Sequence, residues 1–171
     1  DGAFETIHVE RGRPAFLAEH VERLDGGLSA LRIPGPDGMG EIAAIIRELC
    51  ERNGVETGAA RITVTRGAGP RGLAFPADAA PTMTVALAPA PTRSEKLVRV
   101  LATERVRYSG AVENRFKAIG GYPQNMLALD DARRAGADDA FLINEHGRIV
   151  CATSSNIFLL GEGGAHTPPL S

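Results

Sequence analysis

The chain reads as an α/β protein of the α+β kind, built as two domains. Three features of its 171 residues predict this. Strand-like alternation and helix-like periodicity follow each other along the chain. A proline-rich polar tract, Pro89–Lys96, interrupts that pattern once. The same mixture resumes after it. The expected boundaries are residues 1–90 for an N-terminal α/β domain, 91–96 for the linker and 97–171 for the start of a C-terminal domain.

Ala3–Glu10 alternates imperfectly and suits a strand. Arg11–Pro14 is a turn, and Ala15–Leu17 a short return strand. Ala18–Leu24 opens a helix whose apolar stripe is Val21, Leu24, Leu28 and Leu31. Gly26 and Gly27 weaken its middle by roughly 1 kcal/mol each, and Ile33–Gly38 ends it. Gly40–Asn53 is a second helix, with Ile42, Ile45, Ile46 and Leu49 at helical spacing and a stop at Asn53-Gly54. Ala60–Arg66 is a strand with Ile62 and Val64 inward, Gly67–Gly72 a mobile loop, and Thr82–Ala88 another strand. In Pro89–Lys96, proline excludes ladder bonding and the rest is polar.

Leu97–Ala102 resumes as a strand. Pro123–Ala135 is a helix with proline in its first turn and apolar positions Met126, Leu127, Leu129 and Ala132. Asp139–Asn144, the turn Glu145–Arg148 and Ile149–Thr153 form a hairpin, and Ile157–Leu160 is a further strand. Both ends read as cut: the chain opens at Asp1-Gly2 directly into a strand and stops at Ser171 with the second domain incomplete.

Composition narrows the function classes. A net charge of −2 offers no basic face to nucleic acid or to an anionic membrane. No apolar run approaches the ~18 residues of a membrane span. Cys50 and Cys151 make neither a disulfide framework nor a metal cluster, which suits a reducing cytoplasm. His8, His20, His146 and His166 show no ligand spacing, so no metal is expected.

Only two of the 19 basic residues are lysines, Lys96 and Lys117. Lys96 lies in the polar linker. Lys117 lies between Phe116 and the apolar, glycine-rich run Ala118–Gly121, two residues from Arg115. An amine that is partly desolvated and close to a cation has a lowered pKa, and is then a nucleophile toward carbonyl carbon. The alternative is a surface lysine in a loop before a helix.

From Lys117 onward the order is lysine, helix, Gly136–Ala140, hairpin, and then Ala152–Phe158, read Ala-Thr-Ser-Ser-Asn-Ile-Phe. Upstream, Asp1–Thr6 and Glu19–Leu24 look like an opening strand and a first helix. In that order, from end to end, the segments resemble the class IV aminotransferases, the pyridoxal-phosphate enzymes of fold type IV. Branched-chain and D-amino acid aminotransferases and 4-amino-4-deoxychorismate lyases belong to that family. The resemblance implies two α/β domains with a pyridoxal 5'-phosphate cleft between them, a homodimer, and a small amino acid or amino-chorismate substrate. It assigns Lys117 the internal aldimine and the proton transfer at Cα. Arg23 matches the arginine that binds the cofactor phosphate, a dianion suited to a guanidinium fork. Tyr122 matches a tyrosine on the cofactor's phenolic oxygen, and Asn156 lies near the site. Arg71, in a glycine-rich loop, resembles the arginine that D-amino acid aminotransferases use for the substrate carboxylate. Outside the resemblance, Arg23 reads as a solvated helix residue, Tyr122 as a core aromatic and Arg71 as a surface turn.

The chain departs from the family where a glutamate usually bonds the pyridine nitrogen: that position is Cys151. A thiol of ordinary pKa about 8.5 withdraws electrons through that nitrogen less well than a carboxylate. Lyase chemistry, helped by aromatisation of its product, tolerates the poorer sink. The cofactor's remaining phosphate contacts in the family come from beyond the Thr167-Pro168-Pro169 segment. The functional expectations are therefore a class IV aminotransferase, an aminodeoxychorismate lyase, or a non-catalytic relic of the same fold.

Overall fold

The structure is a computed structural model that describes residues 1–90 and 97–169. The expected linker 91–96, Lys96 with it, lies outside the described residues. The chain divides into two compact units: Asp1–Arg93 with Phe116–Gly120, and Ser94–Arg115 with Gly121–Ser171. Helices and strands mix in both, as the sequence predicts.

In the first unit, β1 (Gly2–Glu10) is the strand around which the others gather. β3 (Thr57–Thr65) pairs antiparallel with its whole length, from Gly2↔Thr65 to Glu10↔Thr57, and β4 (Thr82–Pro89) pairs with β3. Odd positions of β1 point inward: Ala3, Ile7 and Val9 are at most 1% exposed, while Thr6, His8 and Glu10 face solvent. Arg11 and Gly12, with φ of 51° and 71°, form the two-residue turn that matches strand twist. The tightness of that turn corrects one expectation. The return strand β2 is Arg13–Pro14, not Ala15–Leu17, and it reaches only Val9 and Glu10.

Helix α1 (Leu17–Ala30) lays Leu24, Gly27 and Leu28 against the sheet. Helix α2 (Ile42–Asn53) follows a single 3-10 turn and buries Ile42, Ile46 and Cys50; it stops where Gly54 turns left-handed at φ 62°. These side chains join Ile7, Ile62 and Val64 in one core, each fully buried Leu or Ile contributing roughly 1.5–3 kcal/mol. Arg66, only 8% exposed, ties the end of α1 down. It donates to the carbonyls of Leu31 (2.7 Å) and Arg32 (3.0 Å) and pairs with Asp1.

The edge of β1 that short β2 leaves open is completed from far along the chain. The Phe4 amide donates to the Lys117 carbonyl at 2.9 Å, and Ala118 bridges Ala3. Phe116 packs on Gly27, where a Cβ would come within 3.1 Å of its ring. The glycine that weakens α1 is thus the one that admits the Lys117 segment.

In the second unit, β5 (Val100–Val106) and β6 (Asp139–Ile143) are parallel, and β7 (Ile149–Ala152) is antiparallel to β6. Helix α3 (Pro123–Arg134) makes the connection a parallel pair requires. Its buried face is Asn125, Ala128 and Ala132, packed with Ala137, Ala140 and Leu142. Ala132 was expected there; Met126 and Leu127, at 69% and 49% exposed, were expected and are not. Small side chains let the helix approach the sheet closely, so alanine takes the inner face. β5 starts three residues later than expected, because the Arg99 backbone is tied to Asp138 in both directions. β8 (Leu159–Gly161) pairs with β9 (Gly164–His166), so the strand expected at Ile157–Leu160 begins two residues late and gains an unexpected partner. Among the described residues, no helix is long and apolar enough to cross a membrane.

Candidate active site

Lys117 reaches the first unit through the backbone pairing just described, and its side chain is half-buried. Its Nζ lies 5.5 Å from the centroid of the Phe4 ring. The Arg61 guanidinium stacks on the same ring at 3.8 Å. Phe4 is an even-numbered residue of β1, on the face away from the core, yet it is only 4% exposed. The neighbouring inward position holds a charge. Glu5 is 1% exposed, between Ala3 and Ile7. Arg23 of α1 meets it with two donors, Nε to Oε1 at 2.5 Å and Nη2 to Oε2 at 2.7 Å. His20, one turn earlier, adds Nδ1 at 2.8 Å.

The electrostatics follow from this packing. Burial opposes the Glu5 charge, but hydrogen bonds from Arg23 and His20 and the charges of Arg23 and Lys117 outweigh it, so its carboxyl titrates below the ordinary 4.5. Burial lowers the Lys117 amine from its ordinary 10.5; Glu5 pulls it back up, and Arg23 and Arg61 push it down again. The cations acting on Lys117 are therefore Arg23 and Arg61. More of the amine is neutral near pH 7 than in an exposed lysine, as a nucleophile for carbonyl carbon requires.

The chemistry of this set fits two parts of pyridoxal 5'-phosphate. An amine of lowered proton affinity suits its aldehyde carbon. A guanidinium whose plane is fixed by a carboxylate, and whose side chain remains 49% exposed, suits its phosphate.

In the second unit, Cys151 lies on β7, and its sulfur accepts a hydrogen bond from Arg107 Nη1 at 3.7 Å. Burial raises the thiol above its ordinary 9.0; the charge and hydrogen bond of Arg107 oppose that, and Asp139 adds to it. Near neutral pH the Cys151 thiol is therefore protonated. Beyond β7, Thr153 is held firmly. Its hydroxyl donates to Asp139 Oδ1 at 2.5 Å, and its carbonyl accepts from Asn125 Nδ2 at 2.7 Å. Tyr122 is half-buried at the start of α3, where its carbonyl accepts from the Met126 amide at 3.0 Å. Asn156 is exposed, as is Arg71 in the loop after β3.

The structure thus brings Lys117 together with Arg23, and with three residues the sequence reading passed over: Glu5, Arg61 and Phe4. Glu5 left a signal. It is the charged residue at an inward position of an otherwise alternating strand, the imperfection noted in Ala3–Glu10. Arg61 left none, because a strand residue facing away from the core is polar by default. Arg107 and Asp139 also went unmarked, since their partners lie in other elements.

Comparison with known proteins completes the picture. A putative branched-chain-amino-acid aminotransferase of Methanocaldococcus jannaschii is 32% identical over 171 residues, covering 99% of this chain and 59% of that protein. The crystal structure of 4-amino-4-deoxychorismate lyase from Pseudomonas aeruginosa superimposes with a TM-score of 0.81 at 30% identity, over 99% of this chain and 63% of that one. A branched-chain amino acid aminotransferase of T.th., solved with pyridoxamine 5'-phosphate, gives a TM-score of 0.88 at 26% identity, over 99% and 59%. The chain therefore spans less than two thirds of the length of each. The family model for amino-transferase class IV matches residues 2–171, and with it the chain belongs to the class IV aminotransferase family, of fold type IV.

Proposed function

We propose that the chain carries the lysine of a pyridoxal-phosphate-dependent class IV aminotransferase acting on a small amino acid-like substrate. The observation that carries this reading is the half-buried Lys117 amine beside Phe4, its proton affinity reduced by burial and by Arg23 and Arg61. When bound, pyridoxal phosphate supplies the electron sink for the charge that develops at the substrate Cα. Lys117 would hold its carbonyl carbon and Arg23 its phosphate. Lys117 Nζ, when neutral, would carry the proton away from the substrate Cα. Glu5 keeps the Arg23 guanidinium in one plane, and Phe4 shields one side of the amine from water. Tyr122 and Asn156 complete the cofactor contacts in this reading, and Arg71 on its glycine-rich loop receives the substrate carboxylate. We take the working form to be a homodimer. The free thiols Cys50 and Cys151 suit a reducing, cytoplasmic setting.

Cys151 favours a second reading, aminodeoxychorismate lyase. Its neutral thiol would leave the pyridine nitrogen of bound pyridoxal phosphate without a carboxylate, a poorer electron sink that would be tolerated where aromatisation drives the reaction. The tests are direct. Pyridoxal phosphate added to the protein should give a visible absorption band that Lys117→Ala abolishes. Absence of the band in the wild type would favour a non-catalytic relic. Pyruvate and p-aminobenzoate formed from aminodeoxychorismate without an amino acceptor would select the lyase. Turnover of an amino acid with 2-oxoglutarate would select the aminotransferase.

A further inference from the structure

Glu5 is an expensive residue in its position. A carboxylate at 1% exposure, on the core face of β1, loses nearly all of its hydration. Such an ion pair is weak grounds for stability, because an apolar residue of similar volume would do as well. Its geometry indicates another role. Arg23 presents its Nε–Nη2 edge to both oxygens of Glu5, at 2.5 and 2.7 Å. His20 Nδ1 bonds Oε2 at 2.8 Å and lies 3.4 Å from Arg23 Nη2. Two parallel bonds from a planar group to a planar group fix orientation as well as distance. The backbone that carries the carboxylate is anchored, since its strand is paired on both edges here, by β3 and by the Lys117 segment. Arg23, by contrast, is a helix side chain that is 49% exposed. Without Glu5 it would lose two short bonds that help to set its plane.

We propose that Glu5 is a positioning residue: its buried carboxylate, steadied by His20, aims the Arg23 guanidinium so that it can receive a phosphate group beside the Lys117 amine. This rests on the reading of Arg23 and Lys117 as the phosphate and carbonyl contacts of pyridoxal phosphate. It goes further in making the phosphate contact depend on a core-facing residue of β1.

The test compares pyridoxal phosphate with pyridoxal, which differ only in the phosphate. Both are titrated into the full chain and followed by absorbance. In the wild type the phosphorylated form should bind more tightly. Glu5→Gln keeps the shape but replaces the fork's anionic acceptor, and should cut that preference about 10-fold; its effect on the Lys117 amine is common to both ligands and cancels in the ratio. In an Arg23→Met background, Glu5→Gln should change the preference no further. A general loosening of the fold would weaken both ligands alike and leave their ratio intact. A folded Glu5→Gln protein with the wild-type ratio overturns the proposal and leaves the site reading standing. A wild type that binds both forms equally overturns the site reading, and this proposal with it. Should Glu5→Gln fail to fold by circular dichroism, His20→Ala replaces it. The expected loss of preference is then about 3-fold, and an unchanged ratio again overturns the proposal.

Discussion

Two adjacent glycines in α1 should respond oppositely to the same substitution. In a helix interior, glycine costs about 1 kcal/mol relative to alanine through backbone entropy. Gly26 is exposed, and a Cβ there meets nothing within 4 Å. Gly26→Ala should therefore stabilise the protein by about 0.5–1 kcal/mol. At Gly27 the same propensity gain applies, but the new Cβ stands 3.1 Å from Phe116 Cδ2 and 3.3 Å from its Cβ and Cγ. Overpacking of that kind costs roughly 1–3 kcal/mol. Because the propensity term is common to both, the difference isolates the steric one, so Gly27→Ala should be less stable than Gly26→Ala by about 2 kcal/mol. Urea denaturation monitored by circular dichroism measures both. Phe116→Leu in the Gly27→Ala background should recover part of the loss. Since Phe116 precedes Lys117, Gly27→Ala should also change the rate at which the amine reacts with an aldehyde probe, whereas Gly26→Ala should not. Equal stabilisation by the two alanines would refute the packing of Phe116 on α1, and with it the route by which Lys117 reaches β1.

Other expectations concern charge. Lys117 has a folded pKa below its ordinary 10.5, so its protonated form is disfavoured by folding, and the wild type should gain stability relative to Lys117→Met as pH rises from that lowered value toward 10.5. Denaturant midpoints of the two proteins across that range measure it. Glu5 has the opposite sign: its pKa is lowered from 4.5, so its contribution is present above 4.5 and is lost as pH falls through the folded value. Glu5→Gln should cost about 2–4 kcal/mol at neutral pH and progressively less in acid. Arg66→Met strips donors from the Leu31 and Arg32 carbonyls and should cost roughly 2–3 kcal/mol. It also removes the guanidinium that stacks on Phe75 at 4.1 Å, so hydrogen exchange in residues 67–81 should quicken. Burial raises the Cys151 thiol and Arg107 opposes that, so alkylation of Cys151 in a Cys50→Ser background should be slow at neutral pH and slower still in Arg107→Ala.

What the sequence determined alone is what local chemistry can specify. Alternation along β1 and β3, the stripes Leu24/Leu28 and Ile42/Ile46, Gly54 as a stop and proline at the head of α3 are read within a few residues of one another, and each appears as expected. The order of segments was enough to name the family, because that order is carried by the chain itself. Errors arose where a choice depended on what lay opposite. The helix α3 could bury leucine and methionine or alanine, and the closeness of the sheet selected alanine. The return strand after Arg11–Gly12 was displaced because two positive φ angles close the hairpin sooner than composition suggests. The candidate site was legible only in its two cations, Lys117 and Arg23. Its anion, Glu5, bonds residues 15 and 18 positions away. Its lysine arrives on the open edge of a strand more than a hundred residues earlier. Proton affinity at Lys117 depends on burial and on which charges surround it in space, and neither is a property of sequence neighbours. For that reason Arg61, on a strand of the first unit and far away in sequence, bears on it.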